Sequence, residues 1–154
     1  MEAKQQMERL IDALKQSVET GLTYFQGPGK QAKIRVGRWG PREVLCHLVW
    51  WHQATVEGME SVLSGGPPYR IYASVDEMNA RAVGRLAGKN IDQLADLVHQ
   101  FQARLLTAAH ALPDAQTTVM ILGDGSERSV QQRLETIPQH WDDHVKELRA
   151  LSAA

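Results

Sequence analysis

Apolar residues recur at three- and four-residue steps along four long segments of the chain. This spacing places them on one face of a helix and predicts four amphipathic helices. A shorter helix is predicted from Val75 to about Ala87, because Ser74 to Glu77 has the form of a capping box. The four long helices are predicted at residues 7–25, from Pro41 to the glycine pair at 65–66, at residues 91–112 and at residues 130–151.

Two stretches break the helical period. Residues 26–41 are rich in glycine and basic residues and are predicted to form a connecting loop. Residues 117–122, TTVMIL, are β-branched and apolar and precede GDGS, which predicts a short extended piece and a turn. One isolated strand cannot make a sheet. We therefore predict an all-α fold, an antiparallel four-helix bundle in a single domain spanning residues 1–154, with room for a short extended segment before the last helix.

Charge and composition narrow the classes of function. The formal net charge is -1 and no run of like charges reaches the length of an interaction tail, so no nucleic-acid partner is predicted. The start of the chain, MEAKQQMERL, has no apolar signal-peptide region, and no later stretch is apolar for the length of a membrane span, so a cytoplasmic protein is expected. Cys46 is the single cysteine, which excludes a thiolate-rich metal site; it is predicted to be a small buried apolar residue.

The stretch HWDDH, residues 140–144, carries two histidines one helical turn apart. On the predicted last helix both His140 and His144 can face the interior, whereas Asp142 and Asp143 fall toward the opposite face and are expected to be solvated. This spacing lets two imidazoles reach one ion from one helix, but the glutamate of the zinc-protease helix is missing. The alternative is that His140 is turned to solvent and His144 is a hydrogen-bonded core residue, and the pair by itself favours this alternative.

The second long helix offers a third histidine. His47 and His52 are roughly 140° apart around that helix, so they are not expected to serve one ion together. His52 falls near the middle of the apolar stripe and His47 at its edge, beside Trp50 and Trp51. Periodicity alone therefore slightly prefers His52 as the third histidine of the site.

Two longer stretches carry a family resemblance. RWGPREVLCHLVWWH, residues 38–52, resembles the signature of the DinB/YfiT-like superfamily of four-helix bundles, and HWDDHVKEL, residues 140–148, resembles its C-terminal HxxxH element. Residues 76–79, DEMN, with the long apolar helix after them, also resemble the branch that includes colibactin-resistance-type proteins.

The resemblance implies a metal triad of His47, His140 and His144, with His52 at no ligand position. In the mycothiol-dependent isomerase relatives a glutamate stands where this chain has His140, so the chain looks closer to the three-histidine type. The implied cofactor is a divalent transition metal, zinc or nickel, and a thiol cofactor is a further possibility. The implied function is a metal-dependent enzyme, a hydrolase or a thiol-dependent transferase or isomerase, that acts on a small molecule.

Two more residues are candidates for the site. Glu147, one turn beyond His144, could orient a ligand or act as a catalytic base, although an exposed helix glutamate is the plainer interpretation. Trp50 could line an apolar ligand pocket, whereas Trp51 and Trp141 are expected to be core residues.

Two other functions are compatible with the sequence. A protein of the same fold could bind a small molecule without turnover and protect the cell against stress or a toxin. An unmetalled helical module could instead act through partner surfaces, for example as a homodimer. The binding protein would keep the pocket, with or without the metal, so only product formation separates it from the enzyme. Stoichiometric bound metal separates the enzyme from the unmetalled module.

Overall fold

Helices make up most of residues 2–153, which is the part of the chain described by the computed structural model. The predicted four long amphipathic helices and the shorter one are confirmed, with ends that differ by a few residues. A single helical turn, α2, lies inside the predicted loop and was not predicted. The helices are α1 Glu2–Gln26, α2 Pro28–Gln31, α3 Pro41–Leu63, α4 Val75–Arg85, α5 Ile91–Ala111 and α6 Val130–Ala153.

The helix starts follow the capping chemistry of the sequence. The carboxylate of Glu43 accepts a hydrogen bond from the Gly40 amide at 2.9 Å, and Pro41 occupies the first turn of α3, where no amide proton is needed. The Ser74 hydroxyl accepts a hydrogen bond from the Glu77 amide at the start of α4. Asn90 and Gln93 form a reciprocal capping box at the start of α5. These local bonds explain why the element starts could be predicted.

A small three-stranded sheet corrects the all-α prediction. Its strands are β1 Tyr69–Arg70, β2 Thr118–Ile121 and β3 Glu127–Ser129, in the order β1-β2-β3. β2 and β3 are antiparallel neighbours, while β1 pairs with β2 in parallel. The prediction was wrong because β1 lies in a segment that only breaks the helical pattern, and its partner strand is about 50 residues away in sequence.

The long helices pack on one another around a continuous apolar core. α3 packs against α5 and α6, and α1 packs against α6 and α5. Gly21 brings α1 against α6, since a Cβ at this position would meet the ring of Trp141. Gly58 brings α3 against β2, since a Cβ there would meet the carbonyl oxygen of Val119. The fold is therefore mainly helical, and the antiparallel arrangement stays a prediction.

None of the helices in residues 2–153 combines the length and the apolar character needed to cross a membrane.

Candidate metal centre

Three histidines from two helices meet at one point. His47 lies on α3, and His140 and His144 lie on α6. Nε2 of His140 is 2.9 Å from Nε2 of His47 and 3.0 Å from Nε2 of His144. The three rings offer ligand nitrogens that all lie within 4.8 Å of one another. The three residues that the family resemblance selected are therefore neighbours in space.

The packing of Trp141 sets the rotation of α6 that makes this meeting possible. Trp141 is fully buried, with its ring edge-on to Phe25 of α1 and close to the ring of His52 of α3. The neighbouring position, His140, is about 100° around the helix, and His144 follows one turn later on nearly the same side. Burial of the indole in the core therefore turns both imidazoles toward His47.

Asn79 of α4 fixes the protonation of His47. Oδ1 of Asn79 lies 2.5 Å from Nδ1 of His47, and Asn79 is buried. A carbonyl oxygen can only accept, so the ring proton of His47 lies on Nδ1. The lone pair of His47 is then on Nε2, which points at the other two histidines.

The protein holds the three imidazoles in their neutral form. Burial, with repulsion from His144, lowers the pKa of His47 to about 4. Burial, with repulsion from His47 and His144, lowers the pKa of His140 to about 3. Burial also lowers the pKa of His144, against a smaller opposing effect of Glu147 and Asp143. At neutral pH each ring therefore keeps one nitrogen lone pair, which is the form that binds a metal.

Hydrogen bonds within the cluster cannot satisfy all three nitrogens. His140 Nε2 has two close nitrogen neighbours, and a single proton can serve only one of these contacts. A cation removes the conflict. Two nitrogens that share a zinc ion at about 2.0–2.1 Å lie about 2.9 Å apart at a right angle and about 3.4 Å apart at the tetrahedral angle. The two separations at His140, 2.9 and 3.0 Å, lie at the right-angle end of this range, so the residues present fit a divalent transition metal.

The ligand set is incomplete for a closed structural site. Within residues 2–153, these three histidines are the only group of three or more histidine, cysteine, aspartate or glutamate side chains that lie close enough to share an ion. A structural zinc site has four protein ligands, whereas a catalytic site has three and an open position. The arrangement is thus of the open kind.

Glu147 lies on the outer side of the cluster. Its Oε1 is 3.9 Å from Nδ1 of His144, the nitrogen opposite the one that faces His140, and its side chain is about half exposed. A carboxylate in this position can orient the His144 ring. At this distance the two groups are in electrostatic contact without a hydrogen bond, and the role of Glu147 as a catalytic base stays a prediction.

A cavity of about 580 Å³ opens beside His140. Trp51 forms part of its wall, together with Arg133 and Leu122. Trp50 is instead buried in a small second core, with its ring against Trp51 and Tyr69. Trp51 is a buried core residue, as expected, and also forms part of the cavity wall, on the side of α3 that carries His47. Trp50 packs toward the sheet and is not part of this wall, so a pocket role for Trp50 stays a prediction.

The remaining candidates lie outside the cluster. His52 is fully buried, with Nε2 3.4 Å from Oε1 of Gln102, so it is a core histidine. Cys46 is fully buried and burial raises the pKa of its thiol to about 11, as expected for an inert residue. Asp142 and Asp143 are exposed, as predicted.

Sequence reasoning missed two residues of the site. No role was predicted for Asn79, because its contact with His47 depends on how α4 packs across α3. Arg133 lies seven residues before His140, which is two helical turns. This spacing puts both on one side of α6 and could have revealed Arg133 as a neighbour of the site.

Comparison with known proteins identifies one family. A model of the DinB superfamily matches residues 5–148, a range that includes all three histidines. Neither a curated protein nor a solved structure matches the chain.

Proposed function

The chain belongs to the DinB superfamily, and on that premise we propose that it is a divalent-metal-dependent enzyme acting on a small molecule. The observation that carries the proposal is the convergence of three neutral imidazoles on one point, with no fourth histidine, cysteine or carboxylate ligand beside them in residues 2–153. The reaction class is hydrolysis, or transfer or isomerisation that uses a thiol. The proposed ion is zinc or nickel.

His47, His140 and His144 would hold the ion through their Nε2 atoms. When bound, such an ion supplies Lewis-acid polarisation of a substrate and activation of water or a thiol at neutral pH. Asn79 would hold the His47 ring in the correct tautomer, and Glu147 would restrain the His144 ring from its outer side. The ligands are thus held from outside, as expected of a preorganised site.

The cavity beside His140 supports catalysis over a purely structural role for the ion. The cavity lies beside His140, the histidine that contacts both of the others. Its volume is within the range of small-molecule sites. Trp51 gives it an apolar wall that can exclude water from a bound substrate.

Product formation tests the proposal. Zinc-loaded and nickel-loaded protein is assayed with an aryl ester, and separately with chlorodinitrobenzene and a small thiol. We expect turnover in one of these assays that falls about 100-fold or more in His144→Ala and is unchanged in His99→Ala, because His99 is an exposed histidine of α5 outside the cluster. Absence of turnover from protein that holds one equivalent of metal would favour the non-catalytic binding protein instead.

A further inference from the structure

Arg133 is a buried cation without a carboxylate partner. Only 5% of its surface is exposed. Its Nε donates a hydrogen bond to Oγ1 of Thr55 at 3.2 Å, and its guanidinium carbon lies 5.2 Å from the ring centre of Trp51. None of the ion pairs found within residues 2–153 includes Arg133. A hydroxyl and an indole face therefore contact the guanidinium, and no carboxylate of residues 2–153 lies within ion-pair distance of it.

Such an arrangement is costly unless a counter-charge arrives. Burial of an unpaired charge is unfavourable, and a hydroxyl group does not neutralise it. Burial and the nearby Arg128 lower the pKa of Arg133 to about 10, so the side chain is still a cation at neutral pH. The protein thus keeps a positive charge in a buried place, where the Thr55 hydroxyl and the Trp51 ring are its partners.

The Arg133 side chain lies at the wall of the cavity. Arg133, Trp51 and His140 line the same cavity. Nε of Arg133 has a hydrogen-bond partner in residues 2–153. The two Nη atoms have none there, yet neither of them is fully enclosed by the protein. The two Nη atoms are therefore accessible, and paired guanidinium N–H groups match a carboxylate in geometry as well as in charge.

We propose that this cavity binds an organic carboxylate, with the acid group on Arg133 and the rest of the molecule against Trp51 and beside His140. This inference deepens the proposed function. The binding of the carboxylate is independent of that function, whereas its being a substrate rests on it. The exposed carboxylates of Glu135 and Asp143 and a second guanidinium, Arg128, also line the cavity, so that the formal charges of its wall cancel. The local charge favours a ligand with one negative charge over a polyanion such as a nucleotide.

Binding of a matched pair of probes tests the assignment without any variant. Benzoate and benzamide have nearly the same shape, but only benzoate carries a charge for Arg133. By isothermal titration calorimetry on the protein as purified, we expect benzoate to bind one per chain and benzamide to bind roughly tenfold or more weakly. Equal affinity for the two probes, or no binding of benzoate, would overturn the proposal.

Variants assign the binding to Arg133. Arg133→Met should weaken benzoate binding roughly 10- to 100-fold, and Arg133→Lys should keep part of the affinity. Arg149→Met is the matched control. Arg149 lies on α6, as Arg133 does, and stacks over an aromatic ring, that of Tyr24 in α1, but it is not part of the cavity wall. Benzoate affinity that is unchanged in folded Arg133→Met contradicts the proposal. Binding of inorganic phosphate in place of benzoate would also contradict it, because the site would then accept oxyanions without an organic body.

Metal content separates this inference from the proposed function. It is measured in the same samples and in His144→Ala, whose changed side chain is not part of the cavity wall. Arg133-dependent benzoate binding in His144→Ala supports the anion site independently of the metal. If the wild type holds metal but does not distinguish benzoate from benzamide, this inference fails alone. If benzoate binds and no metal is found after reconstitution, the proposed function fails alone.

Discussion

Oδ1 of the buried Asn79 lies 2.5 Å from Nδ1 of His47, on the side of the ring opposite the histidine cluster. This contact joins α4 to α3 and determines which nitrogen of His47 carries a lone pair. A metal ligand held in this way is both oriented and made a better donor, because the carbonyl stabilises the partial positive charge of the bound ring.

The first prediction concerns this contact. Asn79→Ala should weaken zinc binding by about 10- to 100-fold, because such partners of metal ligands have effects of this size. Asn79→Asp should restore most of the affinity, since its carboxylate also accepts from Nδ1. Competition titration with a chromophoric zinc chelator measures both. A role of Asn79 in stability only would change the unfolding midpoint and leave the zinc affinities of all three proteins equal.

Glu147 should have a smaller influence on the metal than Asn79. Its carboxylate is about half exposed and 3.9 Å from His144, so solvent screens the interaction. We expect Glu147→Gln to change zinc affinity by less than about threefold and to leave the metal content at one equivalent. A loss of metal comparable to that of Asn79→Ala would show that Glu147 is a ligand or a dominant partner of one.

The approach of β2 to α3 depends on the absence of a side chain at residue 58. Gly58→Ala should lower the free energy of unfolding by about 1–3 kcal/mol, because the new Cβ meets the backbone carbonyl of Val119. Gly84→Ala in α4 is the control: nothing lies near its Cβ position, and alanine should stabilise the helix by up to about 1 kcal/mol. Urea unfolding of the two variants gives both values. Equal effects would mean that β2 does not pack on α3 at this point.

His52 should make the fold sensitive to acid. Burial lowers the pKa of His52 to about 4 in the folded protein, whereas an unfolded histidine titrates near 6.5. As the pH falls through this window the unfolded chain binds the proton first, so stability is lost between about pH 6.5 and pH 4. Between pH 7 and pH 5 the unfolding free energy of the wild type should fall by about 2 kcal/mol more than that of His52→Leu. Parallel pH profiles for the two proteins would contradict a buried neutral His52.

The local parts of the fold could be predicted from the sequence. The helix starts at Pro41, Val75 and Ile91 follow from caps within four residues of them. The interior orientation of His140 and His144 follows from periodicity within one helix. The separation of His47 from His52 around α3 was also a helical property, and only His47 joins the histidine cluster.

The non-local parts could not be predicted in this way. The strand Tyr69–Arg70 has two residues, and only its partner Thr118–Ile121 makes it a strand. Periodicity preferred His52, and the choice of His47 for the cluster came from the family resemblance. The positions of Asn79 and Trp51 at the site depend on how α4 and α6 pack against α3, which a pattern within one segment does not contain.

The central claim is that His47, His140 and His144 bind one ion together. Elemental analysis of the untagged wild type, purified without added metal, tests it alongside His140→Ala and the exposed control His99→Ala. We predict about one equivalent of zinc or nickel in the wild type and in His99→Ala, and almost none in His140→Ala. Wild-type protein that holds no metal even after reconstitution, or a His140→Ala variant with full metal, would contradict the account.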